Sequence, residues 1–202
     1  LLLDDNNKLL VGTGSDLQIY HDGTNSNILN TTGELKLLAK SGEVGIKIVP
    51  DGKVDLRYND STKLETTSTG VSIIGSSYDA LVVSNTDNGS NGAYIRIYND
   101  SSSPHNADVA GVLSFQGNDD AGNITNYSQI RSYTSDVVNG QESGYLTFHT
   151  RNNNTFAERL RITSDGNVQI PNDSGKLQLG TSQDLQIYHD GTWNHISAAN
   201  NH

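Results

Sequence analysis

The sequence predicts an all-β protein assembled from short strand-turn-strand units. Three observations carry this prediction. Asn, Ser, Thr and Gly fill 82 of the 202 positions, a bias towards small polar and turn-forming side chains that suits many turns and disfavours long helices. Apolar and polar residues alternate with period two, as in Leu17-Gln18-Ile19-Tyr20, Leu35-Lys36-Leu37 and Ile46-Lys47-Ile48, so each strand has one apolar and one wet face. The dipeptides Asp22-Gly23, Asp51-Gly52, Asp165-Gly166 and Asp190-Gly191 suit the positive φ angles of tight hairpin turns.

Composition narrows the function classes. Leu, Ile, Val and Phe make up 48 of 202 residues, about 24% and above the roughly 20% below which a charged chain stays disordered. The chain folds, but with a thin supply of core residues. Thirteen basic residues against twenty-three acidic ones, a net charge of −10, leave no basic face for nucleic acid or an anionic membrane. No apolar run approaches the roughly 18 residues of a membrane span, and Leu1 to Leu3 run straight into Asp4 and Asp5, unlike a signal peptide. Without cysteine there is no disulfide, thiolate zinc site or cysteine nucleophile. The absent initiator methionine leads us to expect more chain on at least one side.

Residues 1–30 are expected to form a shaft unit. Residues 8–28 (KLLVGTGSDLQIYHDGTNSNI) recur at 176–196 (KLQLGTSQDLQIYHDGTWNHI), offset by 168, with 14 of 21 positions identical and DLQIYHDGT unchanged. One local structure is therefore used twice. Residues 31–77 read as further β shaft, because 29–37 (LNTTGELKL), 48–56 (IVPDGKVDL) and 64–73 (LETTSTGVSI) are related strand-turn-strand units, as is 162–170 (ITSDGNVQI). Residues 78–163 differ in texture, with longer strands expected at 80–84, 93–99, 109–116, 127–133, 145–150 and 158–162 and Asn-, Asp-, Ser- and Gly-rich loops between them. Six strands with one apolar face each fit a small β-sandwich-like domain or a three-sided β-prism. Residues 164–202 return to shaft with the second DLQIYHDGT unit.

Hairpins this short are marginal alone, since each buries few side chains and leaves both edges unpaired. A single-chain solenoid needs contiguous repeats of constant length, and the spacings here are irregular. Three parallel chains solve the burial problem by turning their apolar faces to a shared axis. The expected assembly is an elongated homotrimeric fibre with a β-prism or interleaved β shaft.

The run FAERLRITSDGNVQI at 156–170 resembles a conserved stretch of many phage tail fibres. RYNDSTKLETTSTGVSIIG at 57–75 is similar to the stem repeats of tail fibres from marine phages, including cyanophages, and DLQIYHDGT is typical of the same group. This resemblance covers most of the chain. It implies a structural, non-enzymatic component of a virion tail fibre, a homotrimer that joins other tail or fibre proteins and carries surfaces for a host cell-surface glycan or protein receptor, with no cofactor. In that family the first run commonly leads towards a C-terminal intramolecular chaperone, upstream of which such stem repeats lie. Here Val168-Gln169-Ile170 continues as Pro171-Asn172-Asp173 where the family often has Gly-Ile-Gly. The repeat then returns, so the fibre is expected to continue past His202. Nothing in these residues resembles the autocleaving chaperone.

Each candidate site also has a structural reading. His21-Asp22 and His189-Asp190 offer the partners of a catalytic dyad or metal site. They sit, however, in the turn of a repeat, where Asp-Gly serves backbone geometry, and no Ser or third ligand recurs in phase. His21, Asp22, Gly23, His189, Asp190 and Gly191 are accordingly read as turn residues. One of His105, His149, His189 or His195 on a three-fold axis would offer a metal three imidazoles, but the His-x-His pair that resembling fibres use is missing. The competing functions are a carbohydrate-cleaving tailspike module and a bacterial surface adhesin. The former needs two carboxylates across a glycosidic bond, whereas only five Glu occur (Glu34, Glu43, Glu65, Glu142, Glu158) and most Asp lie in turns. Glu158 with Arg159 and Arg161 reads as an ion pair or interchain contact. There is no nucleophile elbow, phosphate loop or zincin motif, so no catalytic, cofactor-binding or metal residue is expected. Trp193, the single tryptophan, stands where the first repeat has Asn25; buried it packs a widened shaft, exposed it is a sugar-stacking residue. Tyr94, Tyr98, Tyr127, Tyr133 and Tyr145, with the polar loops around them, are the other candidates for a receptor-facing surface.

Overall fold

The computed structural model describes residues 2–76, 78–90 and 92–198, and every regular element among them is a β-strand. The chain divides into two compact units, residues 1–94 and 95–202. Each unit carries one three-stranded and one five-stranded antiparallel sheet, and in all four the strand order follows the chain.

In the first unit, β1 (Leu9–Val11), β2 (Leu17–His21) and β3 (Ser26–Asn30) form a meander. The second meander comprises β4 (Leu35–Lys40), β5 (Glu43–Ile48), β6 (Val54–Tyr58), β7 (Ser61–Thr67) and β8 (Gly70–Ile73). Register sorts its side chains by chemistry. Leu37, Ile46, Leu56, Leu64 and Ile73 stand directly opposite one another across all five strands, and the adjacent row reads Lys36, Lys47, Asp55, Glu65, Ser72. Adjacent rows point to opposite faces, so one face is aliphatic and the other is charged. The charged face neutralises itself. Glu34 bridges Lys36 (2.9 Å) and Lys47 (3.2 Å), Asp55 faces Lys53 (3.2 Å), Lys47 (3.7 Å) and Arg57 (3.8 Å), and Lys53 pairs with Glu65 (2.5 Å).

The second unit begins its sheet at β9 (Val109–Asn118) and continues through β10 (Ile124–Asp136), β11 (Ser143–Asn152), β12 (Thr155–Ile162) and β13 (Val168–Gln169). Leu113, Ile130, Phe148 and Leu160 form one cross-strand row, and Val112, Arg131, Thr147, Arg161 and Gln169 the next. A last meander, β14 (Lys176–Leu179), β15 (Leu185–His189) and β16 (Asn194–Ala198), holds the second copy of the repeat.

Among the described residues no apolar side chain is buried; the buried ones are Asp55, Gln129, Thr147 and His149. The charged and polar faces are covered by their own long side chains, while the aliphatic faces lie open. Leu37 is 52% exposed and Leu113 50%.

The all-β expectation holds, with three corrections. The stretches 80–84 and 93–99 are not strands, because period-two patterning makes a strand only where a ladder partner exists, and no sheet pairs with either stretch among the described residues. With those two lost, the remaining four strands of the expected sandwich join β13 in a single layer, and strands make substantial contact only with their hydrogen-bonded neighbours. Finally, the positive φ of the 49–53 turn falls on Asp51 (52°) and not on Gly52. Pro50 takes the second corner of the turn closed by the Gly52 N–H donating to the Val49 carbonyl (3.1 Å), which leaves the positive φ of a type II turn to the third.

Candidate functional site

The two copies of the repeat fold alike down to side-chain contacts. Leu9 pairs with Ile19 and Ile19 with Ile28; Leu177, Ile187 and Ile196 repeat the register 168 residues later. Lys8 donates to Gln18 (2.8 Å) and sits over the Tyr20 ring (4.4 Å), as Lys176 does with Gln186 (2.9 Å) and Tyr188 (4.2 Å). Asp22 builds the hairpin turn. Its Oδ1 accepts from the backbone N–H of Thr24 (2.9 Å) and Asn25 (2.7 Å), and Asp190 accepts from Thr192 (2.9 Å) and Trp193 (2.7 Å). Gly23 and Gly191 supply φ angles of 93° and 92°. The Asn25 N–H, the Asn27 amide and the Thr24 N–H hold the Asp22 carboxyl down from 3.8 to about 2. The Trp193 N–H, the His195 ring and the Thr192 N–H do the same for Asp190, again to about 2. These carboxylates serve the turn through both oxygens.

His21 and His189 do not pair with their neighbouring Asp. Nδ1 of His21 lies 3.3 Å from the Ser26 hydroxyl and Nδ1 of His189 lies 3.1 Å from the Asn194 Oδ1, across the strand pair. Among the described residues no three His, Asp or Glu side chains converge as metal ligands would.

The copies diverge at the hairpin tip. Where Asn27 donates to the Asp22 Oδ2 (3.0 Å), His195 pairs with the Asp190 Oδ2 at 2.7 Å. The imidazole also stacks on Tyr188, with centroids 4.6 Å apart and planes 15° apart. Trp193 is 69% exposed. The change from Asn27 to His195 was the sequence signal for this contact, visible only by aligning the copies.

The wet face of the β9–β13 sheet carries a second group that sequence reading missed. Gln129, Arg131 and Tyr133 alternate along β10, and the Arg131 Nε donates to the Gln129 Oε1 (2.7 Å) while its Nη1 donates to the Tyr133 hydroxyl (3.1 Å). Tyr133 stacks on Tyr145 (5.0 Å, 8°), Arg161 lies over Tyr145 (4.5 Å), and Arg131 and Arg151 both lie 5.7 Å from the Phe156 ring. Arg161 binds Glu158 through two bonds (2.8 and 2.9 Å), the ion pair expected at Glu158, and this partnership raises the guanidinium pKa further. Beneath the layer lie Thr147 and His149, the latter stacked on Phe156 (5.7 Å). Burial, reinforced by the Arg131 charge, pushes the His149 imidazole below its usual value of 6.5. Long cationic stems and rings thus roof over polar groups. The available signal was the spacing 129, 131, 133 on one strand face.

The tyrosines do not act as one set. Tyr94 and Tyr98 are 75% and 71% exposed and lie outside any strand, Tyr127 donates to the Asn118 carbonyl (3.3 Å), and Tyr133 belongs to the arginine layer. Compared with protein-family models, curated proteins and solved structures, the chain gives no match.

Proposed function

We propose that this chain is a structural segment of a virion tail fibre, a homotrimer whose β-sheets turn their aliphatic faces to one another and whose remaining surface serves host adsorption. One observation carries the reading. Among the described residues no apolar side chain is buried within one chain, yet the β4–β8 sheet aligns five aliphatic residues in a single row. A folded protein needs its apolar area covered, and three copies supply the cover that one lacks. The polar faces carry ion pairs and arginine-aromatic stacks of their own, although both Asp55 carboxylate oxygens and the Arg57 Nε are buried without a hydrogen bond. The similarity of residues 57–75 and 156–170 to tail-fibre stretches, and of DLQIYHDGT to the same group, agrees with this assembly.

Light scattering on the purified chain, before and after mild heating in detergent, tests it. The expected mass is three times 21.8 kDa, surviving the detergent. Ile48→Asp or Ile162→Asp places three carboxylates in an apolar layer and should abolish that species. A well-behaved monomer would overturn the proposal.

A further inference from the structure

We propose that the polar face of the β14–β16 sheet is a carbohydrate platform on which a pyranose ring stacks against Trp193. The two repeat copies act as an internal control. They share register, turn and the lysine-tyrosine contact, and either Asn27 or His195 holds the second oxygen of the turn carboxylate, so the same hairpin forms with Asn25 or with Trp193 at its tip. In the first copy the tip carries Asn25 and Asn27; in the second it carries Trp193 and His195.

Register places the new side chains. Tyr188 stands between Lys176 and His195 in one cross-strand row; His189 and Asn194 form the next pair, and the Asp190 N–H donates to the Trp193 carbonyl (3.1 Å) one pair further on, where side chains return to the face of Tyr188. The row on the other face is Leu177, Ile187, Ile196. Trp193 is therefore on the polar side, 69% exposed, and not part of the aliphatic face that the sheet offers for burial.

The surroundings fit a sugar. The C–H face of a pyranose is apolar and lies flat on an indole, while its rim of hydroxyls needs donors and acceptors close by. Lys176, His195 and the Asp190 carboxylate provide both on the same face. They are also held in place: Asp190 is fixed by two backbone N–H groups and by His195 at 2.7 Å, and the imidazole is sandwiched onto Tyr188. Little side-chain freedom remains to be lost on binding. The inference adds a ligand class to the adhesive part of the proposed function and rests on that part for its purpose. It does not rest on trimer formation, so the mass measurement and the sugar titration are read separately.

Trp193 is the only tryptophan, so its emission reports on this platform alone. The full chain is titrated with methyl glycosides of glucose, galactose and glucuronic acid to about 100 mM, the range in which a single stacked ring binds. The expected result is a saturable blue shift with at least one of them. His195→Asn, which restores the residue of the first copy, should weaken binding several-fold and leave the fold intact. Asn25→Trp with Asn27→His should build a second platform on the first copy and double the sites counted by calorimetry. Two results overturn the proposal: an emission that none of the three glycosides shifts, or an indole already shielded from acrylamide quenching before sugar is added, which would make Trp193 a packing residue.

Discussion

Leu56 lies at the centre of the aliphatic row Leu37, Ile46, Leu56, Leu64, Ile73, and in the single chain it keeps 43% of its surface exposed. Burying a leucine completely is worth about 1.5–3 kcal/mol. Covering the remaining share in the proposed trimer would therefore contribute about 1 kcal/mol per chain, or about 3 kcal/mol for the three copies. Leu56→Ala removes most of that and should raise the trimer dissociation constant about a hundredfold. Because the midpoint concentration of a trimer varies as the square root of that constant, sedimentation over a dilution series should find it displaced about tenfold. Lys36→Ser, on the charged face of the same sheet, should leave the midpoint where it was, since an exposed ion pair contributes little. Equal displacement by both variants, or none by Leu56→Ala, would refute the assignment of the aliphatic face to the interface.

Three further predictions concern the turns and the charged face. Asp22 and Asp190 have folded pKa values of about 2 against an ordinary 3.8, so the stability they contribute is complete above about pH 4 and is lost as pH falls through 2. Thermal melts between pH 4 and 2 should show this loss, and Asp22→Asn with Asp190→Asn should flatten the slope, because an amide oxygen still accepts the turn bonds but does not titrate. His21→Ala and His189→Ala should leave the assembled mass unchanged, because among the described residues their rings meet only the side chains of Ser26 and Asn194 as polar partners; loss of the assembly on either change would restore a metal role. Asp55 is 1% exposed amid Lys47, Lys53 and Arg57, and Asp55→Ala should cost about 2 kcal/mol in urea melts, below the usual cost of breaking a buried pair because the cations reach water.

Much of the fold was legible because it is local. A hairpin of two short arms is specified by its alternation and its turn residues, all within a dozen positions. The units around Asp22-Gly23, Asp165-Gly166 and Asp190-Gly191 thus fold as their sequences predict, and the strands at 109–118 and 143–152 fall where the periodicity places them. The candidate site was legible in part. Trp193 stood out by its rarity and by its substitution for Asn25, whereas the imidazole stacked on Tyr188 needed the strand register.

The sequence by itself determined the all-β class, the repeated hairpin and the alternation that gives each strand two unlike faces, since these follow from side-chain order along one short stretch of chain. Tertiary structure alone decided the rest. Residues 93–99 alternate as well as any strand and 80–84 form an apolar run, yet a strand exists only by pairing, and pairing is a property of two segments. Thr147 and His149 are buried because Arg131, Arg161 and Phe156 reach over them from neighbouring strands. The alignment of Leu37 with Ile73 across three intervening strands depends on four successive registers, each fixed by its own turn and bulges. Contacts of that kind join residues far apart in the chain, and no pattern read along it contains them.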